Sequence, residues 1–527
     1  MIRHLLACAV ALCASPVPAQ TVGIFSSHAD IGETATPGSV SHDAGRYRMT
    51  ASGANIWGEK DAFHFAWVQR SGDLHIAADI AWEGKGKDPH RKAGLMIRQN
   101  RTPGSPYADV MVHGDGLIAM QYREVQDGPT RQIISSMTAS TARVRLEREG
   151  DFVYFSVGPR QIILGHGGDT AAEASDAADW PNGSLEHGGG SYRIAFQAPV
   201  MVGLALSAHD NGVTETATFS NVELQVPSLA YVPDTGYAAK VESSLETIEV
   251  GGVQSRRVVR HFPGKIEAPN WTRDGKALIY NADGRIWRIP VEGGEPVAIP
   301  TGRHIRNNND HGISPDGTQL VISDQSEPDN LSRIFVLPLT GSAGPREVVS
   351  DARARSYWHG WSPDGKTLAY VRVGTDDDSY DIWVKDLAGG PARPLIVGPG
   401  VDDGPEYSPD GKYLYFNSTR SGAMAIWRAN ADGSDPVQLT KDPERRDWFP
   451  HLSPDGKWIV FVSFGLDVAL ADHPPNRADV ALKIMPADGS APPRVLTRLF
   501  GGQGTINVPS WSPDGKQVAF VSYRLVR

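Results

Sequence analysis

Six times in its second half the chain writes nearly the same phrase: Asn-Trp-Thr-Arg-Asp-Gly at 270–275, then Ser-Pro-Asp-Gly at 314–317, 362–365, 408–411, 453–456 and 512–515. Counted from the Thr or Ser, the phrases recur at intervals of 42 to 59 residues. A repeat of that period is a unit that cannot bury its apolar face alone, and stacking such units around an axis makes a β-propeller. Proline sets the first turn position and Asp-Gly supplies the bend, so each phrase joins two inner strands. Apolar strands follow at 367–371, 413–416 and 458–462, and a third strand carries Ile286-Trp287, Ile334-Phe335, Ile382-Trp383 or Ile426-Trp427. After the last phrase there is room for two strands, while 245–250 and 256–260 form a spare hairpin around Gly251-Gly252. The expectation is a six-bladed propeller over 243–527, closed by strands from 243–262. Closure removes exposed sheet edges, which otherwise invite aggregation.

A chain of 527 residues with 40% hydrophobic and 21% charged residues is expected to fold as two or more units. At the start, Arg3 precedes an apolar stretch from Leu5 to Ala14, too short to span a bilayer, and Val17-Pro18-Ala19 offers small residues for cleavage. That pattern reads as an export signal over 1–19 and a periplasmic or secreted protein, without a membrane span. Both cysteines, Cys8 and Cys13, fall inside it, so the mature chain is expected to carry no disulfide or thiol chemistry. A formal charge of −10 with no basic stripe argues against a nucleic-acid partner.

Residues 21–226 alternate strand-like segments with turns and no helix between them, which suggests an antiparallel β-sandwich. The fold class is therefore all-β, a sandwich followed by a propeller, with a linker over 227–242. Trp57, Trp67, His64, His113 and Asp115 are candidates for a sugar-binding face; the competing reading places both tryptophans in the core and makes 113–116 a hairpin turn. The stretch 165–191, rich in Gly, Ala, Asp and Ser, reads as a long loop. The ending at 202–222, with 55–57 and 61–64, resembles concanavalin-like jelly-roll domains, which accompany extracellular carbohydrate-handling proteins.

The residues entering each innermost strand line one end of a propeller channel. His311 and His359, each followed by Gly, occupy equivalent positions in adjacent repeats, and Glu406 and His451 the next position in the following two. Three imidazoles and a carboxylate aimed at one axis suit a divalent metal (Mn, Zn, Fe, Ni or Ca). Asp310, Asp403 and Glu406 are the candidate catalytic carboxylates; Asp310, Asp403 and Asp447 are also placed to orient the imidazoles. Tyr357, Trp358, Trp448 and Asn507 are candidate substrate contacts. A water-filled polar mouth accounts for the same residues without any chemistry. The insertion 465–477 folds over the mouth or decorates a rim.

The repeats over roughly 266–527, and the Ser-Pro-Asp-Gly wording above all, resemble the TolB-type propeller family. TolB-like repeats also precede a hydrolase domain in prolyl-oligopeptidase-like peptidases, but no strand–Gly-x-Ser-x-Gly–helix unit is present here. The arrangement also resembles that of oligogalacturonate lyases, whose propeller mouth holds a divalent metal through His and Gln side chains, a resemblance that implies Gln503 as a further ligand or a substrate contact; six blades instead of seven and a different ligand spacing separate the two. Two functions follow as expectations. One is an exported carbohydrate-active protein that binds and cleaves a glycan, as lyase or glycosidase, at a metal-bearing mouth. The other is a non-catalytic TolB-like scaffold that binds a periplasmic protein or a polymer.

Overall fold

The structure, a computed structural model, describes residues 21–138, 141–158, 186–187, 189–226, 239–252, 255–376 and 379–526. The expected export signal, most of the 165–191 stretch and most of the linker lie outside them. Regular structure among the described residues is strand throughout, apart from one 3-10 turn at Gln503–Thr505. None of their helices is long and apolar enough to cross a membrane.

The repeated phrase builds the same turn six times. In each, the Thr or Ser hydroxyl donates to the Asp Oδ1 two residues on, at 2.5–2.7 Å. That same Asp Oδ1 accepts the backbone N–H two residues further along, from Lys276, Thr318, Lys366, Lys412, Lys457 and Lys516. The bend then needs a left-handed residue, and Gly supplies it with φ between 69 and 75° in all six. Side-chain oxygens thus satisfy backbone donors that a tight turn would leave without partners.

The turns also touch one another in a closed ring. Pro315 lies beside Gly365, Pro363 beside Gly411, Pro409 beside Gly456, Pro454 beside Gly515 and Pro513 beside Gly275, while Arg273 takes the proline's place beside Gly317. A Cβ on any of these glycines would come within 3.1–4.0 Å of that neighbour. The repeats are consequently arranged around one axis.

Five repeats form separate antiparallel four-stranded sheets, whose innermost strands are Glu267–Trp271, Asn307–Ile313, Ala354–Trp361, Asp402–Tyr407 and Arg446–Leu452. The expectation of six such blades is corrected at the last one. There, Gln517–Leu525 pairs antiparallel with Val241–Glu249 from Val241↔Leu525 to Glu249↔Gln517, and Val241–Glu249 pairs with Arg256–Phe262. Only a bridge, Trp511↔Val518, marks the innermost position. The sheet does not stop at its outer strand: Arg256–Phe262 pairs in parallel with Arg131–Thr138 through Arg256↔Ile133 and Arg257↔Ile134. The result is a ten-stranded sheet shared by the propeller and the first unit.

In the first unit, seven strands of that shared sheet face an eight-stranded sheet. Leu95, Val110, Met120 and Leu204 from one and Ile76, Leu146, Phe155 and Phe219 from the other share a core. The strands Lys92–Arg98, Tyr107–His113 and Val200–Ser207 are buried on both faces, because Phe63, Phe65, Trp67, Met96 and Met111 form a second cluster on the far side. Trp67 is therefore a core residue, stacked on Phe65. His64 is buried against Asp30, Nδ1 to Oδ1 2.7 Å, and His113 is buried with neither ring nitrogen hydrogen-bonded. Asp115 accepts the Leu117 N–H as an ordinary turn residue, and half-buried Trp57 lies over the Lys92 ammonium, 5.3 Å from its ring centre. The candidate sugar face is thus a covered sheet face and a turn.

Where the units join, Arg256 donates twice to Glu246, at 2.9 and 2.7 Å, with both side chains fully buried. The guanidinium also reaches the Ser191 carbonyl and the Thr497 hydroxyl, and Ser522 donates to Glu246. Removing one partner leaves a buried charge alone. Arg256→Met is expected to destabilise by about 3–5 kcal/mol, and the double variant Arg256→Met, Glu246→Leu by less. Urea unfolding of the three proteins checks this; equal losses in both variants would show that the pair does not hold the closing hairpin.

Candidate functional site

Each innermost strand carries an irregularity just ahead of its turn, and its form decides where the candidate side chains go. The ladder shifts register between Glu267 and Asn270, Asn307 and His311, Trp358 and Gly360, Asp403 and Glu406, and Trp448 and His451. His311 stands in the ladder opposite Ile322, whereas His359 is the residue skipped between Trp358 and Gly360. Two positions equivalent in sequence are therefore not equivalent in space.

His359 joins the carboxylates. Its Nε2 lies 3.1 Å from Asp403 Oδ1 and 3.9 Å from Asp310 Oδ1, and its ring stacks on Phe449 with centres 5.9 Å apart. Asp310 accepts from Asn507 Nδ2 at 2.6 Å and from Asn308 Nδ2 at 2.5 Å, and Asp403 accepts its neighbour Gly404 N–H at 2.6 Å. All of these except Asn308 are buried. Burial draws the His359 pKa down, but Asp403 and then Asp310 outweigh it and the net shift is upward. Burial raises the Asp310 carboxyl, while at Asp403 the His359 cation overcomes burial and holds the carboxyl below its ordinary value. The set is an imidazolium held between two carboxyl groups. Half-buried Tyr357 stands close by, its phenol pushed up by burial and by the Asp310 charge.

The insertion 465–477 reaches this end. His473 packs edge-on against Trp448, 4.6 Å between ring centres, and against Phe449 at 5.5 Å, and its charge lowers the Asp403 carboxyl. Of the two placements open in the sequence, the insertion takes the one over the mouth. Trp448 is fully buried in the blade core, so it supports His473 and offers no face to a substrate.

His451 and Glu406 form a separate pair. Nδ1 lies 2.7 Å from Glu406 Oε2, the other carboxylate oxygen accepts the Leu452 N–H at 2.9 Å, and the His451 carbonyl accepts the Trp511 indole N–H. His311 is apart again, fully buried beside the carbonyls of Ile279 and Asn309, and burial lowers its pKa to about 4. Gln503 lies in the 3-10 turn, its N–H donating to the Pro474 carbonyl. Asp447 accepts from Ser463 and faces Lys483, so it orients none of the three histidines. The expected convergence of His311, His359, His451 and Glu406 is therefore corrected: they occupy three settings. Among the described residues no three His, Cys, Asp or Glu side chains are grouped to hold a metal.

Sequence reasoning passed over a second feature, at the turn end of the axis. A cavity of about 350 Å³ is walled by the residue just before each phrase, Trp271, Ile313, Trp361, Tyr407, Leu452 and Trp511. The second turn residues, Arg273 and five prolines, also line it, with Trp358, Gly360 and Glu406. The signal lay in the repeat itself, since the wall position is aromatic in four of six phrases.

A family described as "TolB beta propeller domain" matches residues 327–472. An uncharacterized protein of Agrobacterium fabrum, Atu1656, is 45% identical over 290 residues, covering 55% of this chain and 95% of the relative. A solved structure described as a putative TolB from Agrobacterium tumefaciens is 45% identical, covers 54% of this chain and 99% of its own, and superposes with a TM-score of 0.50. The chain belongs to the family of the Agrobacterium protein, and its second half is a TolB-type β-propeller. A Tol-Pal system protein TolB of Francisella tularensis is 22% identical over 54% of this chain; the match spans 63% of that relative's length. Two oligogalacturonate lyase structures, one of them from Vibrio parahaemolyticus, match at 15% and 13% identity over 50% and 54% of this chain and 90% and 98% of theirs, with TM-scores of 0.34 and 0.35.

Neutral His311 sets a pH dependence. Its folded pKa near 4 lies below the ordinary imidazole value, so stability is complete above about pH 6.5 and is lost as pH falls toward 4, by about 3 kcal/mol. His359, with its raised pKa, has the opposite sign: its contribution is complete below the ordinary imidazole value and is lost as pH rises above it. His311→Gln is expected to flatten the fall in urea midpoint between pH 6.5 and 4.5; an unchanged slope would place the acid sensitivity elsewhere.

Proposed function

We propose that this chain is an exported binding scaffold of TolB type, in which a rigid propeller holds a partner and the first unit is a second module fixed to it. One observation carries the reading: the candidate acid–base groups, buried Asp310 and Asp403 and half-buried Glu406, are occupied with neighbours, Asp310 by Asn507 and Asn308, Asp403 by His359, and Glu406 by His451 and Leu452. A general acid or base has to reach a substrate proton, within about 2.6–3.2 Å. A six-repeat ring closed through the last blade and a jelly-roll topology for the first unit are part of this proposal, as is the periplasm as its compartment. The Tol-Pal name of the Francisella relative supports a protein partner.

A second reading keeps the carbohydrate activity. It is favoured by the His359–Asp403 contact beneath the His473 insertion, where opening of the insertion would expose a polarised imidazole. In that reading Asp310, Asp403 and Glu406 act on a glycan, and Tyr357 and Asn507 position it.

The two readings separate in one assay. The full chain incubated with pectic and other glycans is expected to release no products, with and without added divalent metal. A photo-crosslinker at exposed Leu466 is expected to give one discrete adduct in the exporting cell, whose purified partner binds the chain in a defined ratio. Glycan cleavage that disappears in Asp403→Asn would overturn the scaffold reading.

A further inference from the structure

We infer that the turn-end cavity is a binding site for a small organic anion, whose carboxylate meets Arg273 at the rim while a ring-shaped body lies against the tryptophan walls. The inference concerns the end of the axis opposite the His359 cluster and stands apart from the scaffold reading.

The rim is chemically uniform except at one point. Five repeats place proline at the second turn position and the first repeat places Arg273 there. Arg273 is solvent-exposed and donates only to backbone carbonyls, Ile313 at 3.2 Å and Ser314 at 3.3 Å; no carboxylate lies within ion-pair distance of it among the described residues. These contacts hold the guanidinium over the mouth, where the Glu406 carboxylate in the same cavity acts on its charge without closing an ion pair. A planar guanidinium is suited to grip a carboxylate through two parallel hydrogen bonds.

Below the rim, the surfaces are flat and apolar. Trp271, Trp361 and Trp511 are 5–8% exposed, with Trp358 deeper still, so they present a fixed wall and lose little side-chain freedom on binding. Aromatic faces of this kind stack on planar rings or on the C–H face of a sugar. At about 350 Å³ the space is at the small end of ligand sites and takes one or two rings. The charge inside has the opposite sign: Glu406 lines the cavity with both oxygens engaged, by His451 and by the Leu452 N–H. A ligand is therefore oriented, its anion outward at Arg273 and its uncharged end inward.

Two kinds of small molecule share this chemistry, a sugar acid and an aromatic acid. Isothermal titration of the full chain with glucuronate and benzoate, and with their uncharged counterparts glucose and benzyl alcohol, tests the site and distinguishes them. At least one of the acids is expected to bind, and about ten- to a hundredfold more tightly than its neutral counterpart. Arg273→Met is expected to abolish that preference with unchanged circular dichroism, because methionine keeps the aliphatic contact beside Gly317, and Arg273→Lys to keep part of it. Binding of glucuronate alone identifies the sugar acid, and of benzoate alone the aromatic acid. The inference is overturned if neither acid binds, if acid and neutral compound bind alike, or if Arg273→Met binds as the parent does.

Discussion

The antiparallel pairing of Val241–Glu249 with Gln517–Leu525 ties the ring to itself across almost the whole propeller sequence. Every other blade is built from strands that follow one another in the chain and form over short loops. This pairing brings together segments more than 260 residues apart, so its loop-closure entropy has to be met by the contacts it makes. The buried Arg256–Glu246 pair sits in that hairpin, and the same outer strand continues into the first unit through its parallel pairing with Arg131–Thr138. Further contacts fix the units to each other: Arg524 with Glu147 and Glu149, Arg193 with Asp479, and Phe152 edge-on to Phe500. Ring closure and the junction between units share one strand, Arg256–Phe262, which pairs with the closing strand on one side and the first unit on the other.

A rigid ring makes differences between repeats meaningful. Six turns share one hydrogen-bond pattern, and at the second turn position the side chain is proline except in the first repeat. Proline there contributes by restricting the unfolded chain and by packing beside the next turn's glycine. Arg273 keeps the second contribution, through its Cβ and Cγ beside Gly317, while giving up the first and adding a charge. At the other end the exception is His359, whose skipped position in the ladder turns an imidazole toward two carboxylates.

Much of the propeller was legible because its turns are local chemistry. A hydroxyl, an Asp and a Gly at fixed spacing dictate a turn with little help from the rest of the fold, and the spare hairpin followed from counting strands. What the sequence could not show was register. His311-Gly312 and His359-Gly360 read alike, yet one histidine pairs across the ladder and the other is skipped, because the number of residues ahead of each shift differs. The extension of the last blade into the first unit was equally hidden, since it depends on two residue pairs, Arg256↔Ile133 and Arg257↔Ile134, that no periodicity announces. The cavity walls were legible in the repeat, because the residue just before the turn is aromatic in four of the six phrases.

The two ends of the axis differ in what they can exchange with solvent. Around His359, each charge is neutralised by a buried neighbour, and the Phe449, Trp448 and His473 rings cover the group, so water is excluded and the pairs strengthen one another. Such a group holds strands of different blades in one arrangement: Asp310, His359, Asp403 and Asn507 come from four separate repeats. At the turn end the wall is aromatic and apolar, and Arg273 at its rim donates only to backbone carbonyls and closes no ion pair among the described residues. Recognition favours that end, because a carboxylate there adds hydrogen bonds to an open guanidinium, whereas a ligand at the other would first have to break pairs already made.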